Sequence, residues 1–145
     1  MIEVSGLKGE FEVFLYDKSG KLKAYRKVKN LTVNSGFKAV CDMMGQGGVQ
    51  PFNYCAIGTG TAAPTASDTT LGSETARVQG TYTRTADTVW KNEASFGAGV
   101  GTGAITESGL FNASSGGTML CRQTFAVINK GDADTLVVTW QYTLS

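Results

Sequence analysis

Apolar and polar positions alternate along residues 135–144. Leu136, Val138, Trp140, Tyr142 and Leu144 fall on one face. Thr135, Thr139, Gln141 and Thr143 fall on the other, together with Val137. A period of two marks a strand with one buried face and one wet face. Comparable stretches recur between turn-rich clusters: GEFEVFLY and KLKAYRKVKNLTV around Asp17-Lys18-Ser19-Gly20, then FNYCAIG, ARVQGTYTRTAD, TVWKNEASFG, AITESGLFN and TMLCRQTFAVIN. About eight short strands at regular spacing predict one all-β domain over residues 1–145, a jelly-roll-like β-sandwich.

Residues 9–33 form the hairpin of a basic N-terminal segment, 1–33. A four-residue turn pairs Tyr16 with Lys21, sets Leu15 opposite Leu22 and Val13 opposite Ala24, and brings Glu10 against Lys27. Residues 34–45, NSGFKAVCDMMG, break the alternation. Phe37, Val40, Cys41 and Met44 follow the i, i+3, i+4, i+7 spacing of a short amphipathic helix, with Asn34 or Ser35 to cap it and Gly45 to stop it. The helix is expected to lie over one end of a sheet. Residues 58–74, GTGTAAPTASDTTLGSE, form a long polar loop. A loop of that length in a compact domain is functional or ordered by a partner.

Composition fits this picture. The chain has 145 residues, enough for a core without disulfides or metal. Its 19 glycines suit many tight turns, and its net charge of +1 gives no strong field to draw nucleic acid. No stretch is long and apolar enough for a membrane span, and MIEVSGLKGEFEV lacks a signal layout, so synthesis in a cytoplasm and use without secretion by a signal peptide is the expectation. Cys41, Cys55 and Cys121 match no zinc or redox spacing and are expected to be reduced and mostly buried.

The chain has no histidine, which removes the commonest nucleophile and metal chemistry. Gly58, Gly60, Ala63 and Gly99, Gly101, Ala104 each fit GxGxxA, but neither stands between a strand and a helix as a dinucleotide site requires. No cofactor, metal or catalytic residue is expected. A glycan hydrolase would need two of Glu74, Glu93 and Glu107 facing a cleft. Glu74 beside Arg77, and Glu107 with Arg122 downstream, read as structural ion pairs.

Six cations, Lys18, Lys21, Lys23, Arg26, Lys27 and Lys29, fall within twelve residues. Lys21, Lys23, Lys27 and Lys29 share a strand face with Tyr25. Such a stripe protects a sheet edge, meets an acidic protein surface or contacts phosphate. Stacking on Tyr25, Tyr82 and Trp90 would instead suit a carbohydrate, although tryptophans such as Trp90 and Trp140 more often lie in a core.

Two linked segments carry a resemblance. The first is Ala56-Ile57-Gly58-Thr59-Gly60-Thr61-Ala62-Ala63-Pro64, with Asp68-Thr69-Thr70-Leu71 and Glu74-Thr75-Ala76-Arg77. The second is Ile105-Thr106-Glu107-Ser108-Gly109-Leu110-Phe111-Asn112, with Gly116-Gly117-Thr118-Met119-Leu120 and Arg122. Together they resemble small bacteriophage virion proteins described as capsid cement (decoration) or tail-associated proteins, over roughly residues 30–145. The resemblance implies a β-sandwich, no cofactor and a place in a virion. A cement protein on the capsid exterior, bound to major capsid protein subunits, is the first expectation. By analogy it would be a homo-oligomer, a trimer on a symmetry axis, without nucleic acid or membrane as partner. A tail or fibre module that binds host-surface carbohydrate is the alternative. The expected contacts are Lys21, Lys23, Tyr25, Lys27 and Lys29 of the hairpin, Thr59, Thr61, Pro64 and Thr69 of the long loop, and the Gly97–Gly103 bend.

Overall fold

A computed structural model describes residues 6–145. Residues 1–5, the start of the 1–33 segment and of the stretch read for a signal, lie outside the described residues. The elements run β1 (Leu7–Tyr16), β2 (Leu22–Lys29), β3 (Leu31–Thr32), α1 (Asn34–Gly45), β4 (Tyr54–Gly58), β5 (Glu74–Gln79), β6 (Thr81–Ala86), β7 (Val89–Phe96), β8 (Gly103–Phe111), β9 (Met119–Lys130) and β10 (Thr135–Leu144). They form two antiparallel five-stranded sheets, ordered β2-β1-β10-β7-β6 and β3-β9-β8-β4-β5. The fold is an all-β sandwich with one short helix. The described helix is too short to cross a membrane.

The core follows from the alternation. In β10, Leu136, Val138, Trp140 and Tyr142 are buried, with Phe11, Val13 and Leu15 of β1 beside them through the pairs Phe11–Trp140 and Val13–Val138. Ala94 and Phe96 of β7 extend this inner face, and Cys55, Ile57, Ile105, Leu110 and Ile128 of the second sheet meet it. Each large side chain so buried contributes about 1.5–3 kcal/mol.

Three details depart from expectation. The β1–β2 hairpin is slid by two residues: Leu15 pairs with Ala24, Val13 with Arg26 and Glu10 with Lys29, and an irregularity sets Tyr16 against Leu22. The turn is one residue shorter than expected: the Asp17 N–H donates to the Lys21 carbonyl at 2.9 Å, leaving Lys18-Ser19-Gly20 as the loop. The irregularity at Lys23 supplies the second residue of the slide. The Asp17 side chain braces the turn by accepting the N–H groups of Ser19 and Lys21. Gly20 supplies its positive φ of 86°. A shift of two keeps every side chain on its face, so Tyr25, Lys27 and Lys29 point outward, while Lys21 closes the turn.

The stretch 76–87 is two strands in different sheets rather than one. It breaks at Gly80, whose N–H donates to the Asn53 carbonyl at 2.7 Å. The Asn92 amide occupies the space a Cβ would need there. The described strands therefore number ten rather than about eight.

Helix α1 has the expected bounds and the opposite facing. Gly36 and Ala39 are buried, Val40 packs at the core margin, and Cys41 is exposed. Phe37 is 47% exposed and Met44 79%. Gly36 lies directly on the backbone of Leu120 in β9. That close approach admits only small residues, so the large ones turn outward. Val33 holds the N-cap position without a side-chain bond, and the chain leaves the helix at Gln46. Ser35 instead donates to the Met119 carbonyl at 3.1 Å.

Candidate functional site

The outer face of the second sheet carries an unusual load for a solvent side. Ala56 and Phe111 alternate with core residues, and Glu107 and Arg122 stand beside them at 0% and 2% exposure. Residues 59–73 fold back over this face as a third layer. Leu71 from the loop joins Val33, Ala56, Phe111 and Met119 in a second apolar cluster. The loop's neck is closed by the Thr59 N–H on the Ser73 carbonyl at 2.9 Å, and its far part is tied to the start of α1 by the Asn34 N–H on the Ala66 carbonyl at 2.8 Å.

Glu107 is the latch. Its carboxylate accepts the N–H groups of Gly60 at 2.6 Å, Gly72 at 2.7 Å and Ser73 at 2.8 Å, and the Arg122 Nε–H at 3.0 Å. Burial by itself raises the pKa of such a carboxyl. The three backbone donors and the guanidinium outweigh that and hold it below its ordinary range. Arg122 spends its other nitrogens on the loop: Nη1 donates to Asp68 at 2.9 Å and Nη2 to the Ala62 carbonyl at 2.9 Å. Burial also works against the Asp68 carboxylate, yet the Thr65 N–H and hydroxyl, with Arg122, keep its pKa low.

The glycines explain themselves here. A Cβ at Gly58 or Gly60 would run into the Glu107 carboxylate. The first GxGxxA pattern thus makes room for a buried acid, which takes up the Gly60 N–H. A second arginine does similar work nearby. Arg77 makes a two-pronged pair with Glu74, at 2.7 and 3.0 Å, and its Nη1 reaches the carbonyls of Ala113 and Gly116. Its guanidinium lies 3.7 Å over the Phe111 ring.

The expected contact residues divide between two faces. Thr61 and Thr69 are exposed on the loop, and Thr59 and Pro64 are half-buried in it. Tyr25, Lys27 and Lys29 lie on the outer face of the first sheet, across the sandwich from the loop. Their charge is partly answered: Lys23 pairs with Asp134 at 2.8 Å and Lys27 with Glu10 at 3.9 Å. The Tyr25 hydroxyl donates to Glu12. At one end, the Gly97–Gly103 bend is held to the 130–134 turn by the Gly99 N–H on the Asp132 carbonyl, 2.8 Å, and by Lys130 Nζ on the Gly97 carbonyl, 2.9 Å.

The aromatic handles also stand apart. Tyr82 is 59% exposed and stacks toward Trp90 at one edge of the first sheet, whereas Tyr25 packs on Phe14 at the other. Trp140 is a core residue that donates to Cys55 Sγ at 3.4 Å. Glu74 and Glu107 are each occupied by an arginine, and Glu93 lies on the outer face of the other sheet, so these three do not form a facing pair. A groove of about 620 Å³ runs beside Asn30, Leu31 and Phe37, and Glu10 is the carboxylate in its described lining. Burial pushes the Cys55 thiol up to about 11 and the Cys121 thiol up to about 12, which leaves both unreactive.

Compared with protein-family models, curated proteins and solved structures, the chain matches none. The latch residues Gly58, Gly60, Asp68, Leu71, Glu107 and Arg122 all fall within the two sequence segments 56–77 and 105–122. What they encode is a folded loop on a sheet.

Proposed function

We propose that this chain is a structural binding protein of a phage virion, a cement protein that attaches to the assembled capsid shell. The observation that carries the reading is the latched loop. Its own sheet holds it rigid, so a partner need not pay the entropy of ordering it. It offers small uncharged groups, Thr61, Thr65, Ser67, Thr69 and Thr70, to a flat protein surface. The resemblance in the same segments supports a virion role.

The two contact faces lie on opposite sides of a stiff sandwich, an arrangement suited to bridging neighbouring capsid subunits. A protein that binds the assembled shell and not loose subunits stabilises the shell by mass action. On this reading the chain works without cofactor, as a homo-oligomer on the capsid exterior. Particles stripped of the protein should lose heat resistance and regain it when the purified chain is added back. Stripped particles that stay fully heat resistant, with no rebinding, defeat the proposal.

The exposed ring of Tyr82 beside Trp90 favours a second reading, a tail or fibre module that stacks on host carbohydrate. Antibody labelling of tails rather than capsids, with glycan binding lost in Tyr82→Ser, is its expected outcome.

A further inference from the structure

We infer that the chain pairs with a second copy of itself through β6, edge to edge and antiparallel, to make a continuous ten-stranded sheet. The inference stands on the sheet edge alone and holds wherever the protein works. β6 ends the sheet order β2-β1-β10-β7-β6, and all six of its residues are exposed. Its outer side therefore presents unpaired backbone groups, a template for another strand.

The two edges of this sheet are treated differently. β2 carries Lys23, Lys27 and Lys29, and its Arg26 reaches across to the carbonyls of Ala126 and Val127 in β9. Those are edge defences. β6, TYTRTA, has no lysine and no proline, and its one charge is Arg84. Its irregularity falls at Thr85, between Arg84 and Ala86, so the regular edge open to pairing is Thr81–Arg84.

The strand is also complementary to itself, which identifies the occupant. Antiparallel pairing about Thr83 sets Tyr82 opposite Arg84 of the copy, a guanidinium against an aromatic face. The Tyr82 ring is already positioned, 6.0 Å from Trp90, which stacks on buried Tyr142 at 5.3 Å. The contact is isologous and closes on two copies. It is a twofold, distinct from the trimer that the resemblance implies, and it covers Tyr82, so it competes with glycan binding there.

Sedimentation of the wild-type chain over a concentration series tests this, beside two double variants. Thr81→Lys with Thr83→Lys, and Thr81→Glu with Thr83→Glu, each place like charges across the twofold and should weaken self-association about tenfold or more. An equal mixture of the two should restore it. Hydrogen exchange at Thr81–Arg84 in the wild type needs no variant, and those amides should gain protection as concentration rises. A wild type that stays monomeric, variants that associate as well as it does, a mixture that restores nothing, or amides indifferent to concentration would each overturn the inference.

Discussion

Replacing Glu107 by leucine is the sharpest perturbation of the latch. The change keeps the side chain's bulk and removes the acceptor. Three backbone donors, on half-buried Gly60 and on Gly72 and Ser73 at the loop's outer side, lose their buried partner, and Arg122 loses its buried counter-charge while keeping Asp68 and Ala62. Breaking one side of a buried pair costs about 3–5 kcal/mol. A domain of this size is stable by about 5–15 kcal/mol, so Glu107→Leu should lower the melting temperature by roughly 10 °C or more. Arg122→Met should cost less, near 3 kcal/mol, because the three backbone donors still hold the carboxylate. The double variant should then lose less than the sum by about 1–3 kcal/mol. Urea titration measures these differences, and hydrogen exchange locates them, with the amides of Gly60, Gly72 and Ser73 losing protection first. Single changes that cost under about 1 kcal/mol and add independently, with those amides unchanged, would refute the reasoning.

Three further outcomes follow from the same geometry. The folded-state pKa values of Glu107, Asp68 and Asp134 are lowered. Their stabilisation is therefore present above the ordinary carboxylate values of 4.5 and 3.8 and is lost as pH falls through the depressed folded values. The urea midpoint should drop in acid below those values, and Glu107→Gln should flatten that drop. Gly60→Ala should destabilise by about 1–3 kcal/mol, since its methyl displaces the Glu107 carboxylate; an unchanged melting curve would contradict the steric account. In the native protein a thiol reagent should titrate Cys41 alone, and Cys55 and Cys121 only after denaturation, because Cys41 is exposed and the others are buried.

The sandwich was legible in the sequence because alternation is a local signal. Leu136, Val138, Trp140 and Tyr142 announce their shared face without reference to any other strand. The helix bounds were legible for the same kind of reason, but its orientation was not. A hydrophobic stripe of Phe37, Cys41 and Met44 says that an apolar face exists, whereas the side that docks was decided by how closely Gly36 approaches Leu120, a tertiary fact. The break at Gly80 was hidden likewise, since Asn92 comes from a strand not yet paired. For the candidate site, the pairing of Glu107 with Arg122 was readable as a structural ion pair. Its three backbone donors were not, although glycines at 58, 60 and 72 are the trace that a buried acid leaves. The hairpin slipped by two because Asp17 pairs with Lys21 across a three-residue loop and the strand bulges at Lys23, each moving the register by one.

The central claim is that the latched loop forms a preset contact surface for an assembled shell. Co-sedimentation of the purified chain with stripped particles tests it most directly, comparing the wild type with Thr61→Glu/Thr69→Glu. Both substitutions fall on exposed loop positions, so the melting temperature should hold within about 2 °C. The account predicts that the wild type pellets with the shells and the variant stays in solution. Equal pelleting of both, or a wild type that never pellets, would contradict it.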